Sequence, residues 1–252
     1  MYKLEFIKLK KILYSLFFIV IGFASTINLV KSQDINCTEW DANCDDPGGW
    51  QSSFKDIEAD GFPGCSLRVN YKWRQCIGQT PHTTQWVIES VFILNGTSCT
   101  NLILWLTNNG TGITSNNISE LKRSIIRQIS LINFIAWYDN AIPAIKAQVE
   151  CGTGYHVKTT YYQKVCAKVC FSSFDIGGEL IYSLVEVPCI DSQGCCGITY
   201  KYCMLNGVPQ ITTEVTGHEI NCYVSPFPDP SGCPINTVDQ EIIDCHDNCV
   251  SE

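Results

Sequence analysis

Charge is scarce in this chain, and histidine is scarcer still. Asp, Glu, Lys and Arg make up 17% of its 252 residues, with four His and two Met. Acids outnumber bases 25 to 17, so there is no basic surplus to neutralise phosphates, which excludes a nucleic-acid binder and disfavours anionic membrane surfaces. The chain also lacks a Gly-x-Ser-x-Gly elbow, a phosphate-cradling glycine loop and a dinucleotide fingerprint. His218-Glu219 resembles the start of a zinc-protease motif, but no second histidine follows at helical spacing and the surroundings are strand-like. No long apolar run occurs beyond the N-terminal region, and the charged end CHDNCVSE excludes a lipid-exchanged tail.

Cysteine, in contrast, is abundant: sixteen residues, all beyond position 36. Ahead of them Lys3, Lys8, Lys10 and Lys11 precede an apolar stretch from Ile12 to Ala24 and then small residues, the layout of a signal peptide. Cleavage fits after Ala24 or Ser32, and Ser32 is favoured, which makes residues 1–32 the signal segment. The competing reading is an uncleaved anchor, which would be the chain's one membrane contact; Ser15, Ser25, Thr26 and Asn28 interrupt it. Removing residues 1–32 takes away five lysines and one glutamate and moves the net charge from −8 to −12. Export and an acidic body together point to a secreted or extracellular protein, with a bacterial periplasm or cell surface as further addresses.

In an oxidising compartment an even cysteine set is expected to pair fully. That set is Cys37, Cys44, Cys65, Cys76, Cys99, Cys151, Cys166, Cys170, Cys189, Cys195, Cys196, Cys203, Cys222, Cys233, Cys245 and Cys249. Connectivity is open, but parity constrains it. Five cysteines precede the helical segment near residues 117–139 and eleven follow it. Both numbers are odd, so complete pairing within the chain requires at least one bridge between the halves, as in a single closed unit. Cys166-Ala-Lys-Val-Cys170 and Cys245-His246-Asp-Asn-Cys249 suggest metal binding, but neither has the matching second half of a zinc site. We therefore expect no metal and no cofactor.

Residues 33–64 are acidic and turn-rich and read as a loop-like leader; its Asp41, Asn43 and Asp45 depart from a calcium loop at Asp46 and Ser52. From 65 to 252 the pattern is one disulfide-rich, mainly β (α+β) domain of antiparallel hairpins and meanders, with one inserted amphipathic helix. Leu67, Val69, Tyr71 and Trp73 alternate with Arg68, Asn70, Lys72 and Arg74, a half-buried strand. Asn95-Gly96 between Gln85–Leu94 and Thr97–Leu106 predicts a hairpin, and so a three-stranded meander. Asn117 and Glu120 read as a capping box, with Ile118, Leu121, Ile125, Ile129, Ile132 and Ala136 as the buried face and an end near Asp139, before Pro143. Further strands are expected at 155–165, 179–187, 196–205, 208–215 and 219–224, with a second hairpin at Asn206-Gly207. Pro209 beside that turn implies an open edge. A proline-rich turn and a short tail tied by Cys245 and Cys249 end the chain. Tyr71 to Gly78 and Tyr200 to Gly207 share a strand-cysteine-glycine pattern. In style the chain resembles cysteine-rich secreted β proteins from bacterial genomes, with no shared motif that assigns a role to a residue.

No catalytic residue is assigned. Lys122, Arg123 and Arg127 on the helix's outer face form a candidate partner patch, against the plainer reading of a solvated face. Asp56, Glu58, Asp60, Glu89, Glu179 and Glu186 are carboxylates that could converge for glycoside cleavage. Asn36, Asn95, Asn109 and Asn117 head glycosylation sequons. Six tryptophans offer a sugar-stacking platform, although Trp73 is expected in the core. The reading that results is a secreted or cell-surface protein with a non-catalytic binding or structural role toward an extracellular protein or glycan. The alternatives are a secreted carboxylate-dependent hydrolase and a secreted inhibitor or toxin.

Overall fold

Strand β3 (Thr83–Ile93) is hydrogen-bonded to three other strands, and the architecture follows from that. The computed structural model describes Cys44, residues 49–76, 82–164, 166–189 and 195–217, Cys233 and residues 240–247. The expected signal segment, residues 33–43 and 45–48 of the acidic leader with most of its calcium reading, the strand expected at 219–224 and most of the proline-rich turn lie outside them. The described strands form one mixed nine-stranded sheet, and the described residues are half strand and a quarter helix.

On one edge β3 pairs antiparallel with β2 (Ser66–Cys76), which pairs in turn with β1 (Gln51–Glu58). A meander of three strands therefore exists, but its outer member is β1, from within the expected loop-like leader. The strand escapes hydrophobic patterning because Ile57 is its one buried residue. Cross-strand polar contacts hold it: Asp56 accepts from Arg68 Nε and Nη2 at 2.8 and 2.7 Å, and the Arg68 guanidinium lies 5.0 Å above the Phe54 ring.

Thr97–Leu106, expected as a strand, instead contains helix α1 (Thr100–Leu106). Asn95 Oδ1 accepts from the backbone N–H of Thr97 and of Ser98, both at 3.1 Å, and Cys99 N–H donates to Asn95 O, so a helical turn starts where a hairpin was expected. The Cys65–Cys99 disulfide pins the turn, and Leu102 and Leu106, four apart, are buried. Gly96 serves close approach here: its N–H donates to Leu180 O at 2.9 Å, and an added Cβ would lie 2.8 Å from that oxygen.

Helix α2 (Ser115–Asn140) starts two residues earlier than expected and is capped by Thr114, whose Oγ1 accepts from Asn117 N–H. Asn117 is thus not the cap; its Nδ2 donates to Trp105 O at 2.6 Å and ties α2 to α1. Ile118, Leu121, Ile125 and Ile129 are buried as expected, but Ile132 and Ala136 are exposed, because the buried stripe continues through Ile126, Ser130 and Phe134. Pro143 opens a further short helix, α3 (Pro143–Gln148). No helix among the described residues is long and apolar enough to cross a membrane.

The second half adds β4 (Val157–Lys164), β5 (Cys166–Ile176), β6 (Glu179–Pro188), β7 (Cys195–Leu205), β8 (Val208–Gly217) and β9 (Gln240–Asp247). Two of these, β5 and β9, were not foreseen; β9 runs through the expected tail and pairs with β5. Asn206-Gly207 does turn β7 into β8, with φ of 52° and 79° at the two residues, and Leu205 pairs with Val208. Pro209 accordingly sits in β8, at the end of the strand order. Gly177-Gly178, at 67° and 91°, makes the equivalent turn between β5 and β6. On its other edge β3 pairs in parallel with β4 over Thr83–Trp86 and antiparallel with β6 over Ser90–Ile93. The main core, which includes Leu67, Val69, Tyr71, Ile125, Tyr161 and Tyr202, lies between the helices and one face of this sheet.

Four disulfides are described: Cys44–Cys76, Cys65–Cys99, Cys151–Cys203 and Cys170–Cys233. Cys166, Cys189, Cys195 and Cys196 are also disulfide-bonded. Neither described bridge in the first half crosses the helix, so complete pairing within the chain would leave the crossing bridge to Cys37, which lies outside the described residues. After cleavage at the exposed Arg127, the two halves should stay joined on a denaturing, non-reducing gel, and Cys37→Ser should release them. Halves that remain joined in Cys37→Ser would contradict the assignment. Gly96→Ala should cost about 1–3 kcal/mol in denaturant unfolding, since the β6 backbone must yield to the new methyl; a loss below about 0.5 kcal/mol would show that the contact is slack.

Candidate functional site

The expected basic patch is not a patch. Lys122 is 4% exposed and points into the protein, where its Nζ donates to Glu186 Oε1 at 2.5 Å and to Gln163 Oε1 at 2.9 Å, and lies 5.9 Å from the Tyr161 ring centroid. Burial pushes the Tyr161 phenol up, and the nearby Glu186 adds to the shift. Arg123 is half-buried, and of the three only Arg127 is exposed. A lysine can occupy the apolar stripe because its charge is matched on the sheet, and losing either partner would strand the other in the interior.

Nor do the candidate carboxylates converge. Asp56 is engaged by Arg68, which holds its carboxyl below the usual range. Glu58 accepts from Gly64 N–H, Asp60 faces Ser124, Glu89 pairs with Lys72 at 3.3 Å, Glu186 pairs with Lys122, and Glu179 sits at the exposed β5–β6 turn. Of the cysteine pair suggesting metal, Cys170 is bonded to Cys233 and Cys166 is also in a disulfide. Among the described residues no three His, Cys, Asp or Glu side chains are grouped to hold a metal ion. Of the sequon asparagines, Asn95 and Asn109 are exposed, Asn117 donates its amide within the fold, and Asn36 lies outside the described residues.

What the fold does assemble is an aromatic cleft of about 320 Å³ between the C-terminal half of α2 and the sheet. Its floor comes from one face of four adjacent strands: Ser53 of β1, Tyr71, Trp73 and Gln75 of β2, Thr84 and Trp86 of β3, and Val157 and Thr159 of β4. Register explains the clustering. Trp73 stands directly opposite Trp86, Gln75 opposite Thr84, and Thr84 opposite Thr159, so alternate residues share the face. Asn133, Phe134 and Trp137, at helical spacing on α2, form the wall, and His82 closes one end.

The cleft is rigidly backed. Tyr71 and Trp86 stack at 4.5 Å between ring centroids, His82 on Trp137 at 5.4 Å, and Phe134 on Tyr202 at 4.9 Å. The Tyr202 hydroxyl, whose ionisation burial pushes well up, shares a hydrogen bond with Ser130 and so locks α2 to β7 behind the wall. Trp73, expected in the core, is half-buried and lines the cleft, as does Trp137. Thr84 and Thr159 hydroxyls bond each other at 3.1 Å, and Gln75 Nε2 lies 3.4 Å from His82 Nδ1. The Trp86 indole N–H is buried with no acceptor among the described residues.

His82 is the one imidazole among the described residues that line the cleft, and burial depresses its ionisation. Because the folded value lies below the ordinary 6.5, stability from this residue is complete above that pH. It is lost as pH falls through 6.5, where the unfolded chain takes up the proton first. In unfolding measurements between about pH 7.5 and 5, wild type should lose stability on acidification faster than His82→Gln; identical slopes would show that the imidazole is not held neutral. No family model matches the chain, and comparison with curated proteins and with solved structures finds no match either, so the cleft is read from its own chemistry.

Proposed function

We propose that this is a secreted or cell-surface binding protein that holds a small ligand in the aromatic cleft and performs no covalent chemistry. One observation carries the reading: a preformed recess of small-molecule size is lined by five aromatic side chains with hydrogen-bonding groups among them, and none of its described lining residues is Asp, Glu, Lys, Arg or Cys. The multiple disulfides are consistent with an extracellular location, and the lysine-led apolar N-terminus supports export. The dispersal of the carboxylates into pairs with Arg68, Lys72 and Lys122 supports binding over hydrolysis. A glycosidase needs two carboxyl groups facing one bond.

A fragment screen read by NMR tests this. Hits should move the indole N–H signals of Trp73, Trp86 and Trp137, and Trp137→Ala should remove them, while reporter glycosides and esters should turn over no faster than in buffer. Turnover that disappears in Glu186→Gln or Glu89→Gln would replace the binding reading with a hydrolase.

A further inference from the structure

We propose that the ligand of this cleft is a neutral sugar unit, an inference that rests on the binding reading above and narrows it to one chemical class. Charge makes the first selection. The described lining residues include no Asp, Glu, Lys or Arg, and of their two ionisable side chains His82 is half-buried against Trp137 and Tyr71 is stacked on Trp86. An anionic or cationic ligand would leave its hydration without a counter-charge, which burial penalises heavily. The acidic chain as a whole adds repulsion against sialylated or sulfated glycans.

Hydrogen bonding makes the second selection. Ser53 and Asn133, on opposite sides of the cleft, make no hydrogen bond to another described side chain, and Gln75 is exposed with only a long contact to His82. A purely apolar or quaternary-ammonium ligand would fit the aromatic surface but would cover these amides and hydroxyls without replacing their water, an unfavourable exchange. A ligand with hydroxyls around its rim can both donate to and accept from them.

Aromatic surface makes the third. Half-buried Trp73 and Trp137 present flat apolar surface in the same recess as those polar groups, and backing by His82, Phe134 and the β2–β3 floor fixes the rings in advance. Pre-set rings lose little conformational freedom on binding. A pyranose, with C–H faces for the rings and equatorial hydroxyls for the rim, uses all three features at once.

The test titrates the intact protein with methyl α- and β-pyranosides of glucose, mannose, galactose and N-acetylglucosamine. Glucuronic acid, choline and indole are run in parallel, with indole N–H shifts and tryptophan fluorescence as readouts. At least one neutral pyranoside should saturate below about 10 mM with shifts at Trp73, Trp86 and Trp137. Trp137→Ala and Asn133→Ala should each weaken it about tenfold or more. Near-ultraviolet dichroism checks the fold of Trp137→Ala, and half-buried Asn133 keeps the test open if that variant does not fold. Saturation by choline, indole or glucuronic acid with no response to any neutral pyranoside overturns the sugar assignment and leaves the binding reading intact. No response in the cleft to any probe, with fragment hits mapping elsewhere, overturns both.

Discussion

The structure depends on β3 and its divided edge. Strands normally have two neighbours; β3 has β2 along one side and, on the other, β4 beside Thr83–Trp86 and β6 beside Ser90–Ile93. That division joins the β1–β2–β3 meander to both strand groups of the second half, β4–β7–β8 and β6–β5–β9. The β3–β4 pair is parallel, which a tight turn cannot make; the long connection between them carries α1, α2 and α3, and α2 lies across the sheet with its apolar face on β4 and β7. The cleft sits beside that parallel pair. Floor and wall thus have one topological origin.

Close backbone approach and buried pairing then fix details that hydrophobicity alone would leave loose. Gly96 lets the start of α1 touch β6 at Leu180 O. Lys122 with Glu186 sets the rotation of α2 over the sheet, and Ser130 with Tyr202 sets it again two turns later. Disulfides hold the ends of elements more than their middles: Cys76 ends β2, Cys99 precedes α1, and Cys203 lies near the end of β7. This suits a chain whose β1 buries only Ile57 and whose edge strand β8 exposes Val208 and Val215.

Legibility from the sequence followed the strength of local signals. β2 alternates cleanly, Asn206-Gly207 needs positive φ, and the isoleucines of α2 recur at three and four, so each was readable. Asn95-Gly96 misled because the same dipeptide serves a second chemistry, in which the Asn side chain starts a helix and the Gly admits a neighbouring backbone. β1 and β9 were hidden by polar composition, their pairing being visible only from their partners. Lys122 stands four residues after Ile118, within the buried stripe, and was assigned outward on charge alone; its partner is 64 residues away. The cleft was not legible at all. Its residues come from five separated segments, each of which reads as ordinary core or surface, and only the register of four strands under a helix brings Trp73, Trp86 and Trp137 together. The one available signal was the number of tryptophans, and it gave no location.

Native-state hydrogen exchange tests most directly whether β3 organises both the sheet and the cleft floor. The backbone amides of β3, and those of β2 and β4 that pair with it, should exchange only through global unfolding and share one free energy, while amides of β1 and β8 at the edges exchange through smaller local openings. If the β3 amides exchange as readily as those of β8, the divided strand is not the organising element, and a cleft resting on it cannot be preformed.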